Sequence, residues 1–232
     1  MELHLTYMLK STAIMGLFFL VYRFWLLPRR QFTFNRFFML FGGLAAFAVP
    51  LISIEKIVVL PYKPMGSKQV GLFIESATLE GGIPWALIAF IGFGVVSGVI
   101  VGWLALHFIK VHRLISTAEI IQKKKPRLLL SEKAKAPFSF LQSIVFPKSM
   151  CQGPDYEVIL AHEKVHINQR HSIDVLVFHF LLIIGWWNPL LWIYKRAVIE
   201  NLEFLADETT VAQTKKTKDY QYILLHQTLP LK

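Results

Sequence analysis

Residues 175–194 read VLVFHFLLIIGWWNPLLWIY, an uncharged run of 20 residues. As one helix it is long enough to cross a bilayer. Its neighbours make the reading consequential. Before it stands EVILAHEKVHINQRHSID, residues 157–174, with His162, Glu163 and His166. After it stands RAVIENLEFLADE, residues 196–208. If the run crosses once, the histidines and the later carboxylates lie on opposite sides of a membrane and share no site. The run also contains a break, Gly185-Trp186-Trp187-Asn188-Pro189. Pro189 disfavours helical geometry at Asn188, and Gly185 weakens the helix before it. We therefore expect two half-helices, about 172–186 and 190–207, forming a hairpin. It dips into the bilayer or packs on other spans, anchors the helices beside it at the membrane surface, and buries its loop in protein.

The rest of the chain supplies those spans. Over 232 residues, 54% are hydrophobic and only 17% charged, and the mean hydropathy is +0.48. That excludes an ordinary soluble domain. Candidate spans are 5–27, with Lys10 and Arg23 near its ends, then 37–54 and 83–109. The last is the clearest, about 40 Å long as a helix. The single cysteine, Cys151, excludes an internal disulfide and reads as a packing residue. Arg29, Arg30 and Arg36 follow the first span, and a Lys-rich segment from Lys110 to Lys135 follows the third. The loop at 55–82 is balanced in charge. The positive-inside rule then puts both basic segments in the cytoplasm and the N-terminus outside. So the net charge of +10 serves topology and the membrane surface, and direct nucleic-acid binding is not expected. We expect a membrane domain over 1–110 and a cytoplasmic domain over 111–232. PFSFLQSIVFP, residues 137–147, reads as a strand or short hairpin. Gly153-Pro154-Asp155 then starts a helix, with proline at its first position, that runs to about His171.

His162 and His166 stand four apart, so on that helix both rings reach one metal ion. Glu163, beside the first, is placed to act as general base on a water. A catalytic zinc takes a third protein ligand and leaves a position open. The downstream candidates are His171, His179, Glu200, Glu203, Asp207 and Glu208. Glu200, Glu203 and Asp207 share one helical face. An Asp one turn beyond a ligand Glu can hold the ring N–H of a zinc histidine. By itself that stretch also reads as a solvated acidic face. His171 is a surface residue or a partner of a ligand. His179 reads as a buried helix-contact residue, and His107 and His112 as membrane-boundary residues.

The combination of three spans, PFSF, HEKVHINQRHSID, WWNPLLWIYKRA and ENLEFLADE resembles the BlaR/MecR antirepressor family of membrane zinc metallopeptidases, most of all its Bacteroidetes-type members. The resemblance implies a mainly α, polytopic protein with a gluzincin-like cytoplasmic peptidase domain in the bacterial inner membrane. It implies one zinc held by His162, His166 and Glu203, with Glu163 as base and Asp207 behind a ligand. It also implies a protein substrate, such as a transcriptional repressor inactivated in response to a signal. The chain ends at Lys232 without the periplasmic sensor of the best-known members, so β-lactam sensing is not carried over. His171 stands where members often have Asp, with Asp174 three residues on. Rival readings are a quality-control or prenyl-protein zinc protease and a non-catalytic signalling scaffold. Whether the chain pairs as a homodimer stays open.

Overall fold

The computed structural model describes residues 2–52, 85–153 and 155–214. The balanced loop expected at 55–82 and Pro154 lie outside these. The elements run α1 (Glu2–Val21), α2 (Phe32–Ala48), α3 (Trp85–Ser116), β1 (Glu119–Gln122), β2 (Arg127–Ser131), β3 (Phe138–Phe140), β4 (Ser143–Pro147), α4 (Tyr156–Asn168), α5 (His171–Gly185) and α6 (Pro189–Thr214). The protein is mainly helical. Three helical stretches, Leu5–Arg29, Phe32–Leu51 and Leu87–Ser116, are long and apolar enough to cross a membrane.

Two boundaries differ from the sequence reading. The second span starts at Phe32, five residues early, because apolar Phe32 and Phe34 flank only polar, uncharged neighbours before Arg36. The third continues to Ser116 through Lys110 and Arg113, whose charges the end of a long helix tolerates.

The uncharged run 175–194 does not form one helix. It turns at Trp186–Asn188, between α5 and α6. Asn188 is fully buried, and its side-chain oxygen accepts from Leu190 N at 3.0 Å, capping α6 with Pro189 in its first turn. Trp192 Nε1 donates to the Trp186 carbonyl at 3.2 Å, and Trp186 Nε1 donates to Ser97 Oγ of α3 at 2.9 Å. The turn thus meets its polar demands within the protein, as such backbone would have to at membrane depth.

The hairpin is more than a surface anchor. It lies along α2 for nearly that helix's whole length. Asn201 donates to the Phe32 carbonyl at 3.0 Å, Arg36 pairs with Asp174, Tyr194 Oη donates to the Met39 carbonyl at 2.9 Å, and Gly185 abuts Phe47. Phe32 to Phe47 spans about 22 Å of helix. Small residues permit the approach: a Cβ on Gly42 would lie 2.5 Å from the Phe18 ring and 2.7 Å from Tyr194 Oη. One core therefore joins Met15, Met39, Phe47, Phe178, Leu191 and Tyr194 from α1, α2, α5 and α6.

The short β segment is larger than expected. Its order is β1-β2-β4-β3, with β2 and β4 parallel and the other pairs antiparallel. β1 and β2 come from the Lys-rich segment, where β2 alternates half-buried and buried positions after its exposed first residue. β4 is wholly buried within the sheet, so only β3 of the 137–147 stretch is an edge.

The helix starting near Gly153 is also shorter at both ends. It begins at Tyr156 and stops at Asn168. Arg170 then takes a left-handed conformation, φ 56°, and α5 starts at His171. In an unbroken helix His171, five residues beyond His166, would point to another side. The break swings it back.

Candidate metal centre

α4 and α6 carry the central cluster, and the hairpin is what brings α6 back beside α4. His162 Nε2 and His166 Nε2 lie 3.0 Å apart. Glu203 Oε2 lies 3.5 Å from the first and 3.6 Å from the second. A tetrahedral ion with bonds of about 2.0–2.1 Å separates its ligand atoms by roughly 3.3 Å. The triangle fits such an ion.

The far sides of both rings settle their tautomers. His171 Nε2 donates to Gln169 Oε1 at 2.9 Å, so its Nδ1 accepts, and it accepts from His166 Nδ1 at 2.9 Å. His162 Nδ1 faces Asp207 Oδ1 at 3.3 Å. In the neutral form of each ring the ligand-side Nε2 then carries the lone pair. Two lone pairs at this distance, with a carboxylate oxygen beside them, repel unless a cation or proton sits among them. The histidines, Glu203 and Asp207 are the donor set and support that zinc sites use.

Electrostatics agree. Burial pulls the His162 imidazole down, but hydrogen bonds with Asp207 and Glu203 outweigh it and raise the group to about 9. Burial alone would raise Glu203; its bonds with His162 and His166 hold it well below the usual carboxylate range. Glu163 is 8% exposed, and burial pushes its carboxyl up against the opposing pull of Ser139 and the two histidines. His171 is driven to about 3 by burial, then by His166 and Arg36.

A chain of contacts continues into the membrane helices. Gln169 Nε2 donates to Thr209 Oγ1 at 3.2 Å, and the Gln169 carbonyl accepts from Arg36 Nη2 at 2.7 Å. Arg36 Nε pairs with Asp174 at 2.5 Å, both side chains nearly buried. Gln169 at the α4–α5 break and Asp174 in the first turn of α5 are thus both held from α2.

Of the sequence candidates, the structure brings together His162, His166, Glu203 and Asp207, with Glu163 in the wall of the same cavity. Glu200 and Glu208 are exposed and outside the cluster. His171 resolves as the partner of a clustered histidine. His179 lies deeper, and Ser139, Gln169 and Arg36 were not foreseen. The cavity, of about 920 Å³, runs between α3, β3, α4, α5 and α6.

A comparison with curated proteins gives no match. The family model of the BlaR1 peptidase M56 matches residues 85–230, well over half the chain and every clustered side chain except the bracing Arg36. A membrane-type helix set, a peptidase-family segment and a clustered metal-binding donor set coincide: the chain belongs to the BlaR1 peptidase family, M56.

Proposed function

We infer that the protein is a zinc-dependent endopeptidase of the bacterial inner membrane. The observation that carries this is the triangle of two imidazole nitrogens and one carboxylate oxygen, open to an apolar cavity. His162, His166 and Glu203 would hold one zinc, and Asp207 and His171 would orient the rings through their Nδ1 sides. When bound, zinc polarises a scissile carbonyl and acidifies a water. Glu163 would take a proton from a water at this site and deliver it to the leaving amine; its burial and raised carboxyl suit a base that must also act as an acid. An extended substrate would add to the free edge of β3, held by main-chain hydrogen bonds.

The basic segments after α1 and α3 support a cytoplasmic site. The substrate is then a cytoplasmic or membrane-proximal protein, and regulated proteolysis, such as repressor inactivation, is the role the family supports. The test is bound zinc per chain in detergent-purified protein, alongside peptide hydrolysis. The wild type should hold about one zinc and Glu203→Ala should lose most of it. Glu163→Gln should keep zinc and lose hydrolysis by at least about 100-fold. Zinc retained in Glu203→Ala, or undiminished cleavage by Glu163→Gln, would overturn the corresponding role.

A further inference from the structure

The cavity does not end at the triangle. On α5 its lining continues from His171 and Val175 to His179, and on α6 the helix face that carries Glu203 and Ile199 leads one turn further to Lys195, which stands behind His179. Lys195 Nζ donates to His179 Nε2 at 2.9 Å, while His179 Nδ1 donates to the Val175 carbonyl at 2.7 Å. His107 lines the same cavity from α3. The ammonium thus rests on a neutral ring. None of the ion pairs among the described residues includes Lys195. A half-buried cation facing apolar surroundings without a counter-ion is costly, and ionisable groups at membrane depth mark binding sites.

We propose that Lys195 and His179 form a specificity subsite for a substrate carboxylate. The proposal rests on the peptidase reading above and adds to it the class of sequence cleaved. Lys195 precedes Glu203 by eight positions on one helix, and His179 follows His171 by eight on another. Each separation is about 12 Å of helix axis. Extended peptide advances about 3.3–3.6 Å per residue, so the carboxylate sits three or four residues from the scissile bond. Between the two points the walls are Leu104, Phe108, Val175, Leu176, Ile199 and Leu202. The intervening substrate residues are therefore apolar. The favoured substrate carries an acidic side chain, or its own C-terminal carboxylate, beyond a short apolar stretch.

The test uses the full-length zinc-loaded protein in lipid nanodiscs with a pool of synthetic ten-residue peptides. The pool places Glu or Gln at every position of an apolar background, with C-termini as acid or amide. Mass spectrometry reads which peptides are retained and which are cut. At one register three or four residues from the cut, Glu should beat Gln by about tenfold or more, as charge-assisted hydrogen bonds do. An acid-over-amide preference without a Glu preference assigns the subsite to the chain terminus. The preference should collapse to near one in Lys195→Met and persist in Lys195→Arg, with bound zinc reporting intact folding. Cleavage with no acidic preference in the wild type overturns the subsite and spares the peptidase. Lys195-dependent retention of acidic peptides without any cleavage does the reverse. Neither retention nor cleavage, or a preference unchanged in Lys195→Met, also overturns the subsite.

Discussion

Zinc should have to displace a proton from His162. Without metal, the group is raised to about 9, chiefly because Asp207 and Glu203 outweigh its burial. At pH 7 it is therefore protonated, and its lone pair is unavailable. Two pH units at about 1.36 kcal/mol each put the cost of freeing it near 2.7 kcal/mol, or roughly 100-fold in apparent affinity. The sign follows from the raised value: binding strengthens with pH up to about 9 and then levels. Competition with a chromogenic chelator between pH 6.5 and 9.5 should give about one decade per unit. Calorimetry at pH 7.5 in two buffers of different ionisation enthalpy should find about one proton released per zinc. Asp207→Asn removes the largest cause that raises the group, so its plateau should begin at lower pH. An affinity flat from pH 7 to 9, with no proton released, would refute the reasoning. So would an unchanged plateau in Asp207→Asn.

Three further outcomes are expected. His171→Ala removes the acceptor of the His166 Nδ1 proton and should weaken zinc binding 10–100-fold by chelator competition; unchanged affinity would leave His171 a packing residue. Arg36→Met strands the Asp174 carboxylate, whose side chain is 6% exposed. That should lower stability by about 3–5 kcal/mol in thermal or denaturant unfolding, and adding Asp174→Leu should recover most of it. Gly42→Val drives a side chain into Phe18 and Tyr194 and should cost about 1–3 kcal/mol, whereas Gly98→Ala, with nothing within 4 Å, should cost nothing; equal effects would contradict the packing of α2 against the hairpin.

What could be read from the chain depended on how far each signal reached. The break at Gly185 and Pro189 acts on neighbouring residues, so the hairpin was legible before any contact was known. The four-residue spacing of His162 and His166 is local in the same way. The stop at Asn168 was not legible: Asn168-Gln169-Arg170 holds neither glycine nor proline, and the left-handed Arg170 persists because His171 and Asp174 find partners beyond it. β1 and β2 were hidden because Lys123, Lys124 and Lys125 between them dominate the composition. Arg36 was read only as a topology charge. Its role depends on Asp174, 138 positions away, and no local pattern encodes that pairing.

The core shared by the first two helices and the hairpin bears on where this protein can be cut. The family-matched segment begins at residue 85, yet Met15, Met39 and Phe47 pack against Phe178, Leu191 and Tyr194. Arg36, also outside that segment, clamps the joint between α4 and α5. Expressed alone, residues 85–230 would bare one wall of that core and free the joint that aims His171 at His166. The catalytic unit is thus not a detachable module hung from an anchor. One face of the first two helices is part of the protein's interior, and a truncation that looks tidy by sequence would remove the scaffold along with the tether.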